Sequence, residues 1–217
     1  MSHTLTALAA ALPLASGWSI HSLWMRRRIE AARRDPLTGL WTRDAFTERA
    51  ERRLSLRPGA VYLIDLNGFK QINDTHGHAA GDSVIRSTGK RLREWAVNNS
   101  AVVGRLGGDE FAVIAAVYSL DHLTRTLNAL TEELEQPVEA VGHTLEITAS
   151  IGAVGFDPRT DVAELSELLR LADEQMYRAK RTGAPWLTAL SLEKECATVN
   201  GRRAGRRGTA NGTGAAA

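Results

Sequence analysis

The chain has 217 residues, 43% of them hydrophobic, which is enough for one globular domain with a substantial core plus extensions. A single cysteine, Cys196, excludes a disulfide framework and a cysteine metal site and favours a reducing compartment. The net charge of +2 is uneven: residues 35–190 hold 17 Lys and Arg against 22 Asp and Glu. Such an acidic domain lacks the basic footprint of a polymeric nucleic acid partner, whereas a phosphate ligand bridged by a metal ion stays compatible.

The N-terminal segment predicts a membrane helix within residues 1–26. Residues 4–24 contain no formally charged side chain, and Arg26, Arg27 and Arg28 follow. About 20 helical residues cross a hydrocarbon core, and the arginines would keep the following domain in the cytoplasm. A cleaved signal peptide, without its usual basic start, and a buried or interfacial helix are the alternatives, and the latter would leave a cytoplasmic protein.

The remaining elements follow from apolar periodicity and turn residues. A charged, Ala-rich stretch at 27–36 predicts a short helical stalk that ends at Pro36. The domain at 37–190 is predicted to contain a helix at about 43–55, a buried strand at 60–66, a helix at about 81–96, a hairpin of 101–106 with 111–117, a leucine-striped helix at 120–134, a strand at 144–154, a helix at 161–182 and a short strand at 185–190. The polar, Gly-rich segment 191–217 predicts a disordered tail.

Carboxylates interrupt two of the predicted strands. Asp65 ends a hydrophobic run, where a lone buried carboxylate is costly without a cation. Asp109 and Glu110 follow two glycines in the hairpin, so neighbouring strands could bring acids to one point, as Mg²⁺ prefers. Such a site supports in-line phosphoryl transfer, and glycines let the backbone approach a phosphate. A solvent-exposed turn rich in Gly and Asp is the alternative explanation.

Five segments resemble, in order and spacing, those of one known family. They are DPLTGLWTRDAF at 35–46, DLNGFKQINDTHGHAAGD at 65–82, GGDEF at 107–111, SIGA at 150–153 and ADEQMYRAK at 172–180. The chain therefore resembles the GGDEF family, the diguanylate cyclases that condense two GTP into cyclic di-GMP, over about residues 35–190. The resemblance implies an α/β fold with a central, mainly antiparallel sheet flanked by helices, related to the nucleotide cyclases.

The resemblance also assigns catalytic roles. Asp65, Asp109 and the carbonyl of Leu66 match the family's ligands for Mg²⁺, with Mn²⁺ as an alternative ion. Asp109 further matches the general base for the attacking 3′-hydroxyl, and Glu110 is expected to assist the metal or orient the hairpin. Lys70 matches the positive charge that stabilises the transition state.

Four further residues match the family's substrate contacts. Asn73 and Asp82 resemble the guanine readers, His78 a substrate contact and Lys180 a triphosphate contact. Taken singly, Asn73 could be only a turn residue, Asp82 only a helix N-cap and Lys180 only a partner of the helix dipole. His76 is interpreted as a surface residue.

The sequence departs from the family pattern at three places. Asn67 stands where the family usually has a second aspartate, and the arginine expected shortly after Lys180 is missing. The RxxD motif used for product inhibition is also missing, because Asn98 and Ala101 occupy its charged positions. We therefore expect no product binding at that inhibitory site.

Two functions from different classes fit these residues. As an enzyme, each subunit would hold one GTP, and two sites would have to face each other, so a homodimer is expected. The alternative is a catalytically silent GGDEF module that acts as a GTP-binding or protein-interaction receptor. A structural membrane protein without a nucleotide role would leave the conserved-motif acids and lysines unexplained.

Overall fold

A computed structural model describes residue 18, residues 21–160 and residues 164–190. The predicted tail at 191–217 lies outside these residues, as does most of the predicted membrane helix. Among the helices that the structure does describe, none is both long and apolar enough to span a bilayer.

Six helices and eight strands make up the described part of the chain. In chain order they are α1 at 21–32, β1 Trp41–Thr42, α2 Arg43–Leu54, β2 Gly59–Asn67, α3 Phe69–His76, α4 His78–Asn98, β3 Val102–Gly107, β4 Glu110–Ala116, α5 Leu120–Leu134, β5 Val138–Ala140, β6 His143–Leu145, β7 Thr148–Phe156, α6 Leu165–Thr182 and β8 Trp186–Leu190.

The main sheet has six strands in the order β1-β3-β4-β2-β7-β8. The four central strands pair antiparallel, and only the edge strands β1 and β8 pair parallel with their neighbours. β2 lies in the middle because nearly all its residues are buried and can pack on both faces. The predicted α/β class with a mainly antiparallel sheet is confirmed.

Helices cover both faces of this sheet. Tyr62 and Ile64 of β2 pack in one apolar cluster with α4 and α5, whereas Val61 and Leu63 pack in a second with α2 and α6. Because successive side chains of a strand point to opposite faces, Asp65 lies on the face of α2 and α6. The strand therefore delivers its carboxylate to the side of the sheet where α6 ends.

Close packing fixes α6 against β7. A Cβ built on Gly152 would lie 1.9 Å from the Ala172 carbonyl oxygen and 2.3 Å from the Met176 backbone nitrogen. The absence of a side chain at Gly152 thus lets the helix backbone touch the strand. This contact sets the direction of the last turn of α6, which carries Lys180.

Polar and ring contacts hold α1 against the domain. Arg33 pairs with Glu48 of α2, and Arg49 donates to the Glu30 carboxylate at 3.2 Å. The guanidinium carbons of Arg34 and Arg49 lie 3.2 and 3.4 Å from the centre of the Trp41 ring. The end of the stalk is therefore clamped to β1 and α2.

Several predicted boundaries were wrong. The stalk helix ends at residue 32 because Arg34 forms a β-bridge with Trp41. The single strand predicted at 144–154 is two: β6 pairs with β5 in a separate two-stranded sheet, and the chain then enters β7. Helix α3 was not predicted, because it has only eight residues and its apolar face consists of two partly buried side chains, Phe69 and Ile72. Helix α4 begins at His78, three residues before the predicted start.

Candidate active site

Asp65 lies between two cross-strand neighbours. In the antiparallel register it faces Glu110 of β4 on one side and Ser150 of β7 on the other. Directly opposite residues have Cβ atoms about 4.5–5.5 Å apart and share one face of the sheet. Asp65 and Glu110 are therefore opposite each other on one face of the sheet, and the Glu110 carboxylate lies 3.9 Å from the Arg43 guanidinium.

The two glycines shape the turn that presents Asp109. Gly107 pairs with Glu110, so Gly108 and Asp109 form a two-residue turn between β3 and β4. Gly107 and Gly108 have φ values of 153° and 49°, and a Cβ on either would meet no atom within 4 Å. The turn thus needs glycine for its backbone conformation and not for space.

Lys180 closes the site from α6. Its Nζ donates to the Asp65 Oδ1 at 2.6 Å, where the Asp65 side chain is 16% exposed and the lysine side chain 49% exposed. The lysine thereby neutralises the carboxylate that β2 brings to the end of the sheet. The sequence placed Lys180 near the end of the last helix, which is confirmed, but did not foresee this partner.

The charges of Asp65 and Lys180 also affect the pKa of the Asp109 carboxyl. Burial is the main reason why the pKa of the Asp109 carboxyl lies above its ordinary value. The negative charge of Asp65 adds to the rise, while the Asp109 backbone N–H and the positive charges of Lys180 and Arg105 offset part of it. Asp65 and Asp109 therefore lie within electrostatic reach of each other across the two strands.

This donor set suits a hard divalent ion. No group of three or more His, Cys, Asp or Glu side chains forms a ready cation site within residues 21–160 and 164–190. Mg²⁺ does not need one, because it is usually held by one or two carboxylates and takes its remaining oxygens from water and phosphates. Asp65 and Asp109, two carboxylates within electrostatic reach of each other, fit that pattern.

The backbone at Leu66 is the remaining predicted ligand. Pairing of β2 with β4 ends at Asp65 and Glu110, whereas pairing with β7 continues to Asn67. The Leu66 side chain is buried in the core, so only its backbone could face an ion. Its role as a carbonyl ligand stays a prediction.

A second group of predicted residues lies on α3 and α4. Lys70 and Asn73 are three residues apart on α3 and so share one helix face. The Asn73 Oδ1 lies 2.0 Å from where a Cβ on Gly81 would be, which places the amide against α4 beside Asp82. The structure thus packs Asn73 against Gly81, the residue that precedes Asp82 on α4, and the guanine-reading role of both side chains stays a prediction.

The alternative interpretations of Asn73 as a turn residue and of Asp82 as a helix N-cap were wrong. Asn73 lies within α3 and is not a turn residue, and Asp82 lies in the second turn of α4, whose N-cap is Gly77. Asp82 is half exposed and lies 3.4 Å from the Arg86 guanidinium. His78 is the exposed first residue of α4.

The Asn67 side chain forms hydrogen bonds with two residues of β7. Its Nδ2 donates to the Thr148 Oγ1 at 3.2 Å, and its Oδ1 accepts from the buried Ser150 hydroxyl at 3.1 Å. An aspartate could accept the Ser150 bond but could not donate to Thr148. The departure from the family pattern therefore ties the end of β2 to β7 beside Asp65.

Sequence reasoning missed Arg105. Its Nη1 lies 3.1 Å from both carboxylate oxygens of Asp35, and its Nε and Nη2 donate to the Gly108 carbonyl at 3.0 and 2.7 Å. The guanidinium thus connects the segment after α1 to the residue before Asp109. Its only sequence signal is a basic residue two positions before the glycine pair.

Comparison with known proteins gives the family. The family model described as "Diguanylate cyclase, GGDEF domain" matches residues 32–185. An uncharacterized 19.3 kDa protein of Streptomyces ambofaciens is 45% identical over 173 residues, which is 79% of this chain and 91% of that protein. The diguanylate cyclase DgcP of Pseudomonas aeruginosa is 36% identical over 69% of this chain.

Some relatives are much longer than this chain. It spans 22% of DgcP and 20% of the cyclic di-GMP phosphodiesterase NbdA of Pseudomonas aeruginosa, with which it is 37% identical over 160 residues. The similarity therefore concerns one part of NbdA and one part of DgcP, and not the whole of either protein.

Solved structures share the fold. The isolated GGDEF domain of TpbB, also called YfiN, from Pseudomonas aeruginosa superposes with a TM-score of 0.66 at 33% identity, covering 76% of this chain and 98% of that one. The coiled coil and GGDEF domain of DgcB from Caulobacter crescentus reaches a TM-score of 0.73 at 24% identity, over 85% and 99% of the two chains. With a family model over more than two thirds of its length, this chain belongs to the GGDEF domain family.

Proposed function

We propose that the chain is a diguanylate cyclase that joins two GTP molecules into cyclic di-GMP. The observation that carries this proposal is the convergence of Asp65, Asp109 and Glu110 at one end of β2 and β4, with the Lys180 ammonium bonded to Asp65. A binding module has no need for several acids beside a lysine, whereas phosphoryl transfer uses carboxylates to hold a metal ion and a positive charge to stabilise the phosphate.

In the proposed reaction, the 3′-oxygen of one GTP forms a bond to the α-phosphorus of the other. The bond from that phosphorus to pyrophosphate breaks, and the hydroxyl proton passes to the Asp109 carboxylate. A second, identical step closes the ring.

The other residues bind and orient the substrate. Bound by Asp65, Asp109 and the Leu66 carbonyl, Mg²⁺ or Mn²⁺ would screen the triphosphate and favour the attacking alkoxide. Lys180 lies close enough to exchange Asp65 for a phosphate oxygen when the nucleotide arrives. Lys70 supplies a point charge to the transferring phosphate from α3.

Guanine selectivity is assigned to the corner between α3 and α4. The base offers an acceptor at O6 and donors at N1 and N2, which an amide and a carboxylate can match. The contact of Asn73 with Gly81, the residue before Asp82, supports this assignment, and His78 is the exposed first residue of α4. Since each chain would hold one GTP, catalysis requires a homodimer with facing sites. Because GTP is a cytoplasmic substrate, we expect the domain to lie in the cytoplasm. If residues 1–26 span the membrane, the domain is held at its cytoplasmic side.

The experiment is to incubate the purified full chain with GTP and Mg²⁺ and to separate the products by chromatography. We expect cyclic di-GMP from the wild type, and a loss of at least about a hundredfold in rate for Asp109→Ala, as is typical for removing a general base. Asp121→Ala, at an exposed aspartate of α5, is the matched control and should retain full activity. Equal rates for the two variants would contradict the role given to Asp109.

The silent receptor is the second candidate, because Lys180 occupies Asp65 and Asn67 carries no charge. It predicts GTP binding without product. Tight binding of GTP by calorimetry, together with no cyclic di-GMP from wild type in Mg²⁺ or Mn²⁺, would favour this function.

A further inference from the structure

Two histidines outside the candidate active site face each other. His76 is the last residue of α3, and His143 is the first residue of β6. Their ring centres lie 5.1 Å apart, with the ring planes inclined by 53°. They are 67 positions apart in the chain, so only the fold brings them together.

The separation of the rings matches shared coordination of one tetrahedral ion. With a Zn–N bond of about 2.1 Å and a ring centre about 1.1 Å beyond the nitrogen, each centre lies about 3.2 Å from the metal. At the tetrahedral angle, two such centres are about 5.2 Å apart, whereas a square-planar ion would hold them at about 4.5 Å. The observed distance fits the tetrahedral case.

His76 borders a cavity of about 480 Å³ between α3 and β6, whose lining also includes Gln71, Thr75, Thr144 and Glu146 but not His143. His143 and Glu146 are both exposed, so solvent reaches the His143 ring directly. No complete group of three ligating side chains is preformed in the described ranges, so water would fill the other positions.

The turn before His143 is rigidly placed. Val141 and Gly142 have φ values of 52° and 77°, and a positive φ is unusual for a β-branched residue. Because the Val141 side chain is exposed, its own packing does not explain this conformation. Pairing of β5 with β6 imposes it, and that pairing fixes His143 beside α3.

We propose that His76 and His143 form a binding site for a borderline-soft divalent ion such as Zn²⁺, distinct from the carboxylate site. Imidazole is the preferred ligand of such ions and a poor one for Mg²⁺. The bound ion would link the hairpin of β5 and β6 to α3, the helix that carries Lys70 and Asn73. The proposal does not depend on cyclase activity.

The test is calorimetric titration of Zn²⁺ into the full chain in excess Mg²⁺, which keeps the carboxylate site filled. Cys196→Ser serves as the background, because a free thiolate also binds zinc. We expect one equivalent to bind with micromolar affinity, and His143→Ala and His76→Ala to weaken it by at least about tenfold. His122→Ala is the matched control, since that histidine stacks on Tyr118 and should have no effect.

Co²⁺ gives a second readout. Its visible absorption is strong in tetrahedral and weak in octahedral coordination, so the wild type should develop the strong band and His143→Ala should not. Circular dichroism must show that each variant is folded. Zinc affinity or a cobalt band that is unchanged in folded His143→Ala, or no binding by the wild type, would overturn the proposal.

Discussion

Replacing Arg105 by alanine should weaken both the fold and the signature turn. The guanidinium bonds to Asp35, which follows the stalk, and to the Gly108 carbonyl, which precedes Asp109. The Arg105 and Asp35 side chains are only 16% and 18% exposed, so solvent screens their pair less than an exposed one. The substitution removes both anchors at once.

The magnitude follows from what is left unpaired. A hydrogen bond to a charged group contributes about 1.5–3 kcal/mol, and breaking a fully buried pair costs about 3–5 kcal/mol. Asp35 keeps the backbone and hydroxyl bonds from Thr38, at 2.8 and 2.7 Å, which reduces the loss. We expect Arg105→Ala to lower the free energy of unfolding by about 2–3 kcal/mol, or the melting temperature by about 5–10 °C.

Urea unfolding of the wild type, Arg105→Ala, Asp35→Asn and the double variant measures this directly. The double-mutant cycle should give a coupling of at least about 1 kcal/mol, since the two side chains are in contact. Arg125→Ala, in an exposed pair on α5, is the control and should change stability by less than about 0.5 kcal/mol. A coupling free energy near zero between Arg105 and Asp35 would refute the reasoning, and so would an Arg105→Ala variant that is as stable as the control variant.

Three further predictions concern close contacts and pH. Gly152→Ala should destabilise the protein by more than about 3 kcal/mol, because the new Cβ would collide with the backbone of α6 and no flexible side chain can yield. Gly81→Ala should displace the Asn73 amide and weaken GTP binding by about tenfold, with a smaller effect on stability. Burial alone would raise the pKa of the Asp35 carboxyl, but bonds from Thr38 and Arg105 outweigh it and hold the pKa below its ordinary value. A carboxyl whose pKa is lowered by folding stabilises the fold at pH values above its pKa in the unfolded chain, which is about 4, and this stabilisation is lost as the pH falls. The stability advantage of the wild type over Asp35→Asn should therefore shrink below about pH 4.

Each of these has a simple check. Thermal unfolding tests Gly152→Ala, and a melting temperature equal to that of the wild type would contradict the packing described for α6. Calorimetry with GTP tests Gly81→Ala against Asp121→Ala, which alters an exposed side chain of α5. Unaltered GTP affinity in Gly81→Ala would argue against Asn73 as a base contact. For Asp35, urea unfolding of the wild type and Asp35→Asn at several pH values suffices. A difference in their free energies of unfolding that grows as the pH falls would contradict the predicted direction of the pH dependence.

Periodicity predicted most elements because their apolar residues recur at regular spacing. The leucine stripe of α5 is an example, and continuous apolar runs likewise predicted β3 and β4. The same signal failed at 144–154, where both halves look strand-like and no Gly or Pro marks the break between β6 and β7. It also failed for α3, which is short and packs only Phe69 and Ile72 against the core.

The motifs in the sequence determined the family, and with it the candidate acids Asp65 and Asp109. Only the tertiary structure decided their surroundings: Lys180 on Asp65, Arg105 between Asp35 and Gly108, and Asn73 in the space left by Gly81. Apart from Arg105 and Gly108, which are three positions apart, these partners are 8 to 115 positions apart. Local residue patterns carry no information about such distances, because the register of strands and the packing of helices set them.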